Sequence, residues 1–150
     1  MPTVLRDDAS QTKWAALVAK YDEGHLKRHQ WEWASGDWLP YYRYKHATQI
    51  SDIWVEWSDG VDGYLSVWDL TECWGARWRR NDAAMKTETS HRKKVIDLMT
   101  ELSGKPHWDV KLALRFLVEK YEPQYKAHCF CEYLQKNKGE VLVVVTFYPS

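Results

Sequence analysis

A mainly α protein is expected here: a small helical bundle with a helix-turn-helix-like unit, closed by a C-terminal β-strand. Three observations lead there. Apolar residues recur at helical spacing, as in Ile50, Ile53, Trp54 and Trp57. Capping residues and glycines punctuate the chain where such stretches begin and end. One segment alone, Val141 to Phe147, is an unbroken β-branched or apolar run, the signature of a buried strand.

Taken in order, Ser10 is the expected cap of a first helix to about Asp22, with Trp14, Leu17, Val18 and Tyr21 on one face and Gly24 as terminator. His25 to Trp33 continues the helical reading until Ser35-Gly36-Asp37 breaks it. Leu39-Pro40 then leads into the aromatic segment Tyr41, Tyr42 and Tyr44. A helix over Thr48 to Ser58 ends at the turn glycines Gly60 and Gly63. Ser66 and Asp69 have the spacing of a capping box and open a short helix through Trp74, which Gly75 closes. Asn81 or Asp82 starts a long helix to Ser103, stopped by Gly104 and Pro106. Its second half carries Val95, Ile96, Leu98, Met99 and Leu102, whereas Ala83 to His91 has little beyond Met85 to bury. That first half is therefore free to project toward a ligand. Asp109 caps a helix to about Glu122, Pro123 marks a new start, and Tyr125 to Lys136 reads as helical. The C-terminal strand has no evident mate within the chain, which raises pairing with a second copy, a homodimer, as a hypothesis.

With 150 residues, 45% of them hydrophobic, and ten Trp, the chain has room for one domain with a sizeable core. Net charge is zero, but the charge is uneven. From Arg77 to Lys94 there are seven basic residues against two acidic ones, Asp82 and Glu88. Such a block is either a confined footprint for a polyanion or the solvated face of a helix. Three cysteines and no apolar leader lead to the expectation of a reduced, intracellular compartment. No stretch approaches the roughly 18 apolar residues of a membrane span. His128-Cys129-x-Cys131 with Cys73 admits a zinc reading, but the spacing differs from Cys-x2-4-Cys, and a small buried Cys is the commoner case. No nucleophile motif, phosphate loop or His-Glu metal pattern is present, so neither an enzyme, a cofactor nor a metal is expected.

The segment Trp74-Gly75-Ala76-Arg77-Trp78-Arg79-Arg80 is the densest concentration of chemistry. Arginine forks match phosphate oxygens and the acceptor edge of guanine. In an extended segment Arg77 and Arg79 would share a face and flank a buried Trp78. Arg79 and Arg80 precede the long helix, whose N-terminus itself favours anions. Lys86, Ser90, Lys93 and Lys94 line one face of that helix. Arg92 lies nearer the apolar stripe, where it snorkels or pairs with Glu88. Asn81 and either Thr87 or Ser90 are candidates for reading base edges. Trp54, Trp57, Trp68, Trp74 and Trp78 read as core rather than as stacking platforms; Trp31, Trp33 and Trp38 stay open between covering the bundle and forming a surface.

Several of these residues recur together in order: Tyr44; Ile53-Trp54-Val55-Glu56-Trp57; Gly60 and Gly63 ahead of Ser66; Leu70; the Trp74 to Arg80 run; and Ser90-His91-Arg92-Lys93-Lys94-Val95-Ile96. On these residues the stretch from Tyr42 to Leu102 resembles the C-terminal DNA-binding domain of the fungal transcriptional activators of glycolytic enzymes, a group that includes stress and filamentation regulators. The resemblance implies selective binding of double-stranded DNA, a place in the nucleus, and a role in transcription regulation or in a mobile element carrying the same domain. It makes Arg77, Arg79, Arg80, Asn81, Lys86, Ser90, Arg92, Lys93 and Lys94 the candidate DNA contacts. The DNA-binding domain is then residues 41–104, between an N-terminal helical extension, 1–40, and C-terminal helices and strand, 105–150. Such domains usually end a much longer regulator, so the short chain and its two extensions depart from the pattern. A protein-interaction module built on an aromatic surface and strand pairing is the alternative from another class. A ligand platform of aromatics ranks third, because those residues fall at helical-core spacing.

Overall fold

The structure, a computed structural model, describes residues 8–34 and 37–148. Among them are α1 (Asp8–Tyr21), α2 (Glu23–Arg28), β1 (Trp31–Ala34), β2 (Asp37–Pro40), α3 (Ile50–Ser58), α4 (Val67–Trp74), a 3-10 turn (Gly75–Arg79), α5 (Ala83–Ser103), α6 (Val110–Tyr121) and α7 (Ala127–Val145). The protein is mainly α, as expected. It divides into two units: Met1–Arg43 with Ser58–Asp82, and Tyr44–Trp57 with Ala83–Ser150.

In the first unit, α1 already runs from Asp8, so Ser10 lies inside the helix rather than at its cap. The break after α1 falls at Asp22 instead of Gly24. Asp22 takes φ 61° and its carboxylate accepts from the His25 N–H, which starts α2. That helix stops at Arg28, and Trp31 opens a strand where more helix was expected. β1 and β2 pair antiparallel with Trp33 opposite Trp38, their rings 5.6 Å apart and edge to face. Aromatic β-formers on both sides of Ser35-Gly36 carried that signal. Trp31 donates to the Leu26 carbonyl at 3.0 Å and sets its ring against Trp74.

The box at α4 forms with one change of partner. Ser66 Oγ accepts from the Asp69 N–H at 3.1 Å, but the Ser66 N–H donates to the Tyr21 hydroxyl at 2.8 Å. Asp69 instead gathers Lys20 Nζ at 2.8 Å, Tyr21 OH at 2.6 Å and the Ser66 hydroxyl at 2.8 Å. Burial pushes the Asp69 carboxyl up, yet those three donors outweigh it and hold the group below the ordinary carboxylate value. Gly75 closes α4 with φ 58°, a conformation that side-chain-bearing residues rarely adopt.

The second unit is built around α5. Val95, Ile96, Leu98, Met99 and Leu102 meet Phe116 and Leu117 of α6, Phe130 and Leu134 of α7, and Ile50 and Ile53 of α3 in one core. Asp109 caps α6 as expected. Glu122 accepts from both the N–H and the hydroxyl of Ser51, which ties the end of α6 to the start of α3. The expected C-terminal strand is absent: Val141–Val145 continues α7, with a kink at Asn137. Val141 and Val145 are buried one turn apart, while Val143 is 60% exposed. A lone strand would leave its backbone groups without partners, whereas a helix satisfies them internally, and that outweighs the modest β-preference of valine. The basis for a homodimer through strand pairing goes with it.

Candidate nucleic-acid interface

Trp78 is the pin of the 3-10 turn. Only 1% exposed, it packs edge to face on Tyr42 with ring centroids 5.4 Å apart. A 3-10 turn advances about 120° per residue. Arg77 and Arg79 therefore do not share a face, as they would in the extended segment expected from sequence. Arg77 is exposed and Arg79 half-buried. Arg80 and Asn81 both take left-handed backbone, with φ 52° and 57°. This turns the Arg80 side chain back on the hairpin. Its guanidinium donates to the Trp78 carbonyl at 3.0 Å and to the Leu39 and Pro40 carbonyls at 3.2 Å each. Its Nε also lies 3.2 Å from the Glu32 carboxylate. Arg80 thus fastens β1 and β2 to the turn, an internal role that a basic run does not announce.

In the second unit, the first half of α5 carries no fully buried side chain before Arg92. Lys86, Ser90 and Lys93 are exposed on one stripe, and Lys94, half-buried, flanks it. Glu88 is the only carboxylate from Ala83 to Ile96, and it points away from the stripe, to Arg92. The solvent side of this half-helix is therefore cationic and otherwise small: Ala83, Ala84, Thr87 and Ser90.

Arg92 stands apart from its neighbours. It is 7% exposed, and its guanidinium meets the Glu56 carboxylate, the Glu88 carboxylate at 2.7 Å and the Lys45 carbonyl at 2.6 Å. Glu56, only 2% exposed, also accepts from the Lys45 N–H at 3.0 Å. The Tyr44 ring lies 4.5 Å from the guanidinium carbon, and its hydroxyl bonds Thr89 at 2.7 Å. Tyr44, Glu56 and Arg92 are thus one clamp that holds the 44–56 segment to α5. Pairing with Glu88 was legible from the i,i+4 spacing. Glu56 was not, because a carboxylate amid Ile53, Trp54 and Trp57 looks like the polar side of an amphipathic helix.

The nine candidates fall into two groups. Arg77, Arg79, Arg80 and Asn81 belong to the first unit; Lys86, Ser90, Arg92, Lys93 and Lys94 belong to the second. Among the tryptophans read as core, Trp78 is buried, Trp54, Trp57 and Trp74 are half-buried, and Trp68 departs at 46% exposure. Of the cysteines, Cys73 is in one unit and Cys129 and Cys131 in the other. Burial and then the Glu88 charge push the Cys131 thiol up to about 11. Among the described residues no helix is long and apolar enough to cross a membrane.

Comparison with curated proteins and with solved structures gives no match. A family model described as the transcriptional activator of glycolytic enzymes matches residues 42–121, which takes in the clamp, the basic run, α5 and all of α6. That is more than half of the chain and reaches beyond Leu102, where the residue-by-residue resemblance stopped. The chain belongs to the family of transcriptional activators of glycolytic enzymes.

Proposed function

We propose that this chain binds double-stranded DNA selectively and acts in transcription regulation, in the nucleus, with the first half of α5 entering the major groove. One observation carries the reading: Lys86, Ser90 and Lys93 form an exposed stripe with no carboxylate until Asp97. A helix of this kind fits the major groove, where small side chains let the backbone approach base edges and lysines at the margin meet phosphates. Family membership supports the same reading. In it, Lys86, Lys93 and Lys94 contact phosphates, and Ser90 faces the bases. Arg77, Arg79 and Asn81 supply further contacts from the first unit. Arg80 and Arg92 act by positioning, since each guanidinium is bonded within its own unit.

Selection from a random duplex library with the purified chain tests this. Recovery of one short motif is expected; a pool that stays random through all rounds contradicts selectivity. A second reading, a protein-contact module, draws on Val143 and Phe147 of the C-terminal segment, 60% and 73% exposed. It predicts a complex whose stability barely responds to salt, unlike a grip on phosphates.

A further inference from the structure

The second unit contains a surface cavity of about 440 Å3, within the size range of small-ligand sites. Its polar lining comes from three parts of the chain. Lys45 and His46 come from the segment before α3, His91 from α5, and His128 from α7. The His91 and His128 rings lie 5.6 Å apart at 58°. One guanidinium faces two carboxylates here, so a single negative charge is left for Lys45 and Lys94 to offset. Glu88 and Glu56 are both bonded to Arg92, and the Cys131 thiol is held in its neutral form by burial. Glu132 lies 3.1 Å from His128 Nε2 and so engages one of the two ring nitrogens. Lys94 adds its charge from the same side, close enough to act on Cys131.

We propose that this cavity is a seat for a tetrahedral oxyanion, a phosphate group held between His91 and His128 with Lys45 beside them. Three imidazoles and a lysine offer N–H donors from three directions, which suits a group with acceptors on all sides. Two sources share this chemistry: a backbone phosphate of DNA lying along α5, since His91 adjoins Ser90, or the phosphate of a free small molecule. The first rests on the function proposed above; the seat itself does not.

Sulfate is the clean probe, because it shares the tetrahedral shape and acceptor oxygens of a phosphate group. The full chain is titrated with sulfate at constant ionic strength, and the imidazole resonances are followed by NMR. Saturable shifts confined to His46, His91 and His128 are expected. The pair His91→Gln and His128→Gln, checked for native amide spectra, should abolish them; Lys45→Gln should weaken them. Non-saturating shifts, or shifts equally large at the exposed His107, overturn the seat. Duplex titrations with the parent and the double variant assign the source. A duplex affinity that the double variant lowers points to DNA, and an unchanged duplex affinity with sulfate binding lost points to a free phosphorylated ligand. A chain that seats sulfate but binds no duplex keeps the seat and removes the DNA reading.

Discussion

Replacing Arg92 by alanine should unfold the second unit's balance rather than merely weaken a phosphate contact. The guanidinium is 7% exposed and is the principal partner of Glu56, which is 2% exposed. Without it, Glu56 keeps only the Lys45 N–H at 3.0 Å and becomes a buried carboxylate with no counter-charge. Breaking a buried pair from one side costs about 3–5 kcal/mol. With a urea slope of about 2 kcal/mol per molar, the midpoint for α5 to α7 should fall by roughly 2 M, read by circular dichroism. Replacing both partners, Arg92→Met with Glu56→Met, removes the stranded charge. It should recover most of that loss, to within about 1–2 kcal/mol of the parent. If Arg92→Ala keeps the parent midpoint while duplex affinity drops, the clamp is not what holds this segment, and Arg92 belongs with the DNA contacts.

Four further outcomes follow from the same geometry. Arg80→Ala should cost about 2–3 kcal/mol, discounted for its partly exposed ion pair, and speed amide exchange in Trp31–Pro40 while leaving α5 to α7 unchanged; unchanged exchange in the hairpin contradicts its fastening role. Val145→Lys should destabilise by roughly 3 kcal/mol or more, whereas Val143→Lys should stay within about 0.5 kcal/mol. A strand would place both on one face and treat them alike, so equal losses in thermal melts reject the helix. Acidification should weaken the first unit in two steps. Burial lowers the His29 imidazole below its ordinary value, so the unfolded chain takes up that proton first and stability falls as pH drops below about 6.5. The depressed Asp69 carboxyl adds stability that is complete above about pH 4 and is lost below it. In stability measured against pH, His29→Gln should remove the first step alone; its persistence assigns that step elsewhere. Arg79→Ala should lower duplex affinity without changing the melting temperature, and equal affinity removes it from the interface.

Elements marked by local chemistry were legible in the sequence. The Ser66 and Asp109 caps, the Gly75 stop and the apolar face of α5's second half act within a turn or two of chain, and each lies where its residues say. What escaped depends on partners far along the chain. Arg80 reads as one more cation in a basic run until Leu39, Pro40 and Glu32 are brought beneath it. Glu56 and Arg92 lie 36 residues apart, and nothing local says that a carboxylate at position 56 is buried. The valines after Glu140 favour a strand by local preference, and the core contacts of Val141 and Val145 override it. For the candidate interface, the stripe Lys86, Ser90 and Lys93 follows from helical spacing alone. The cavity joining His91 to His128 required α7 to be a helix and to pack on α5.

The salt dependence of duplex affinity is the sharpest test of α5 as the helix that grips DNA. Each phosphate neutralised contributes about 0.9 to the slope of log affinity against log salt. Changing Lys86, Lys93 and Lys94 together to glutamine should flatten the slope by roughly 2.7 units and lower affinity for every sequence, while the fold survives because none of the three is buried. A steep parent slope that is unchanged in the triple variant would place the phosphate contacts on another surface and contradict the role given to α5.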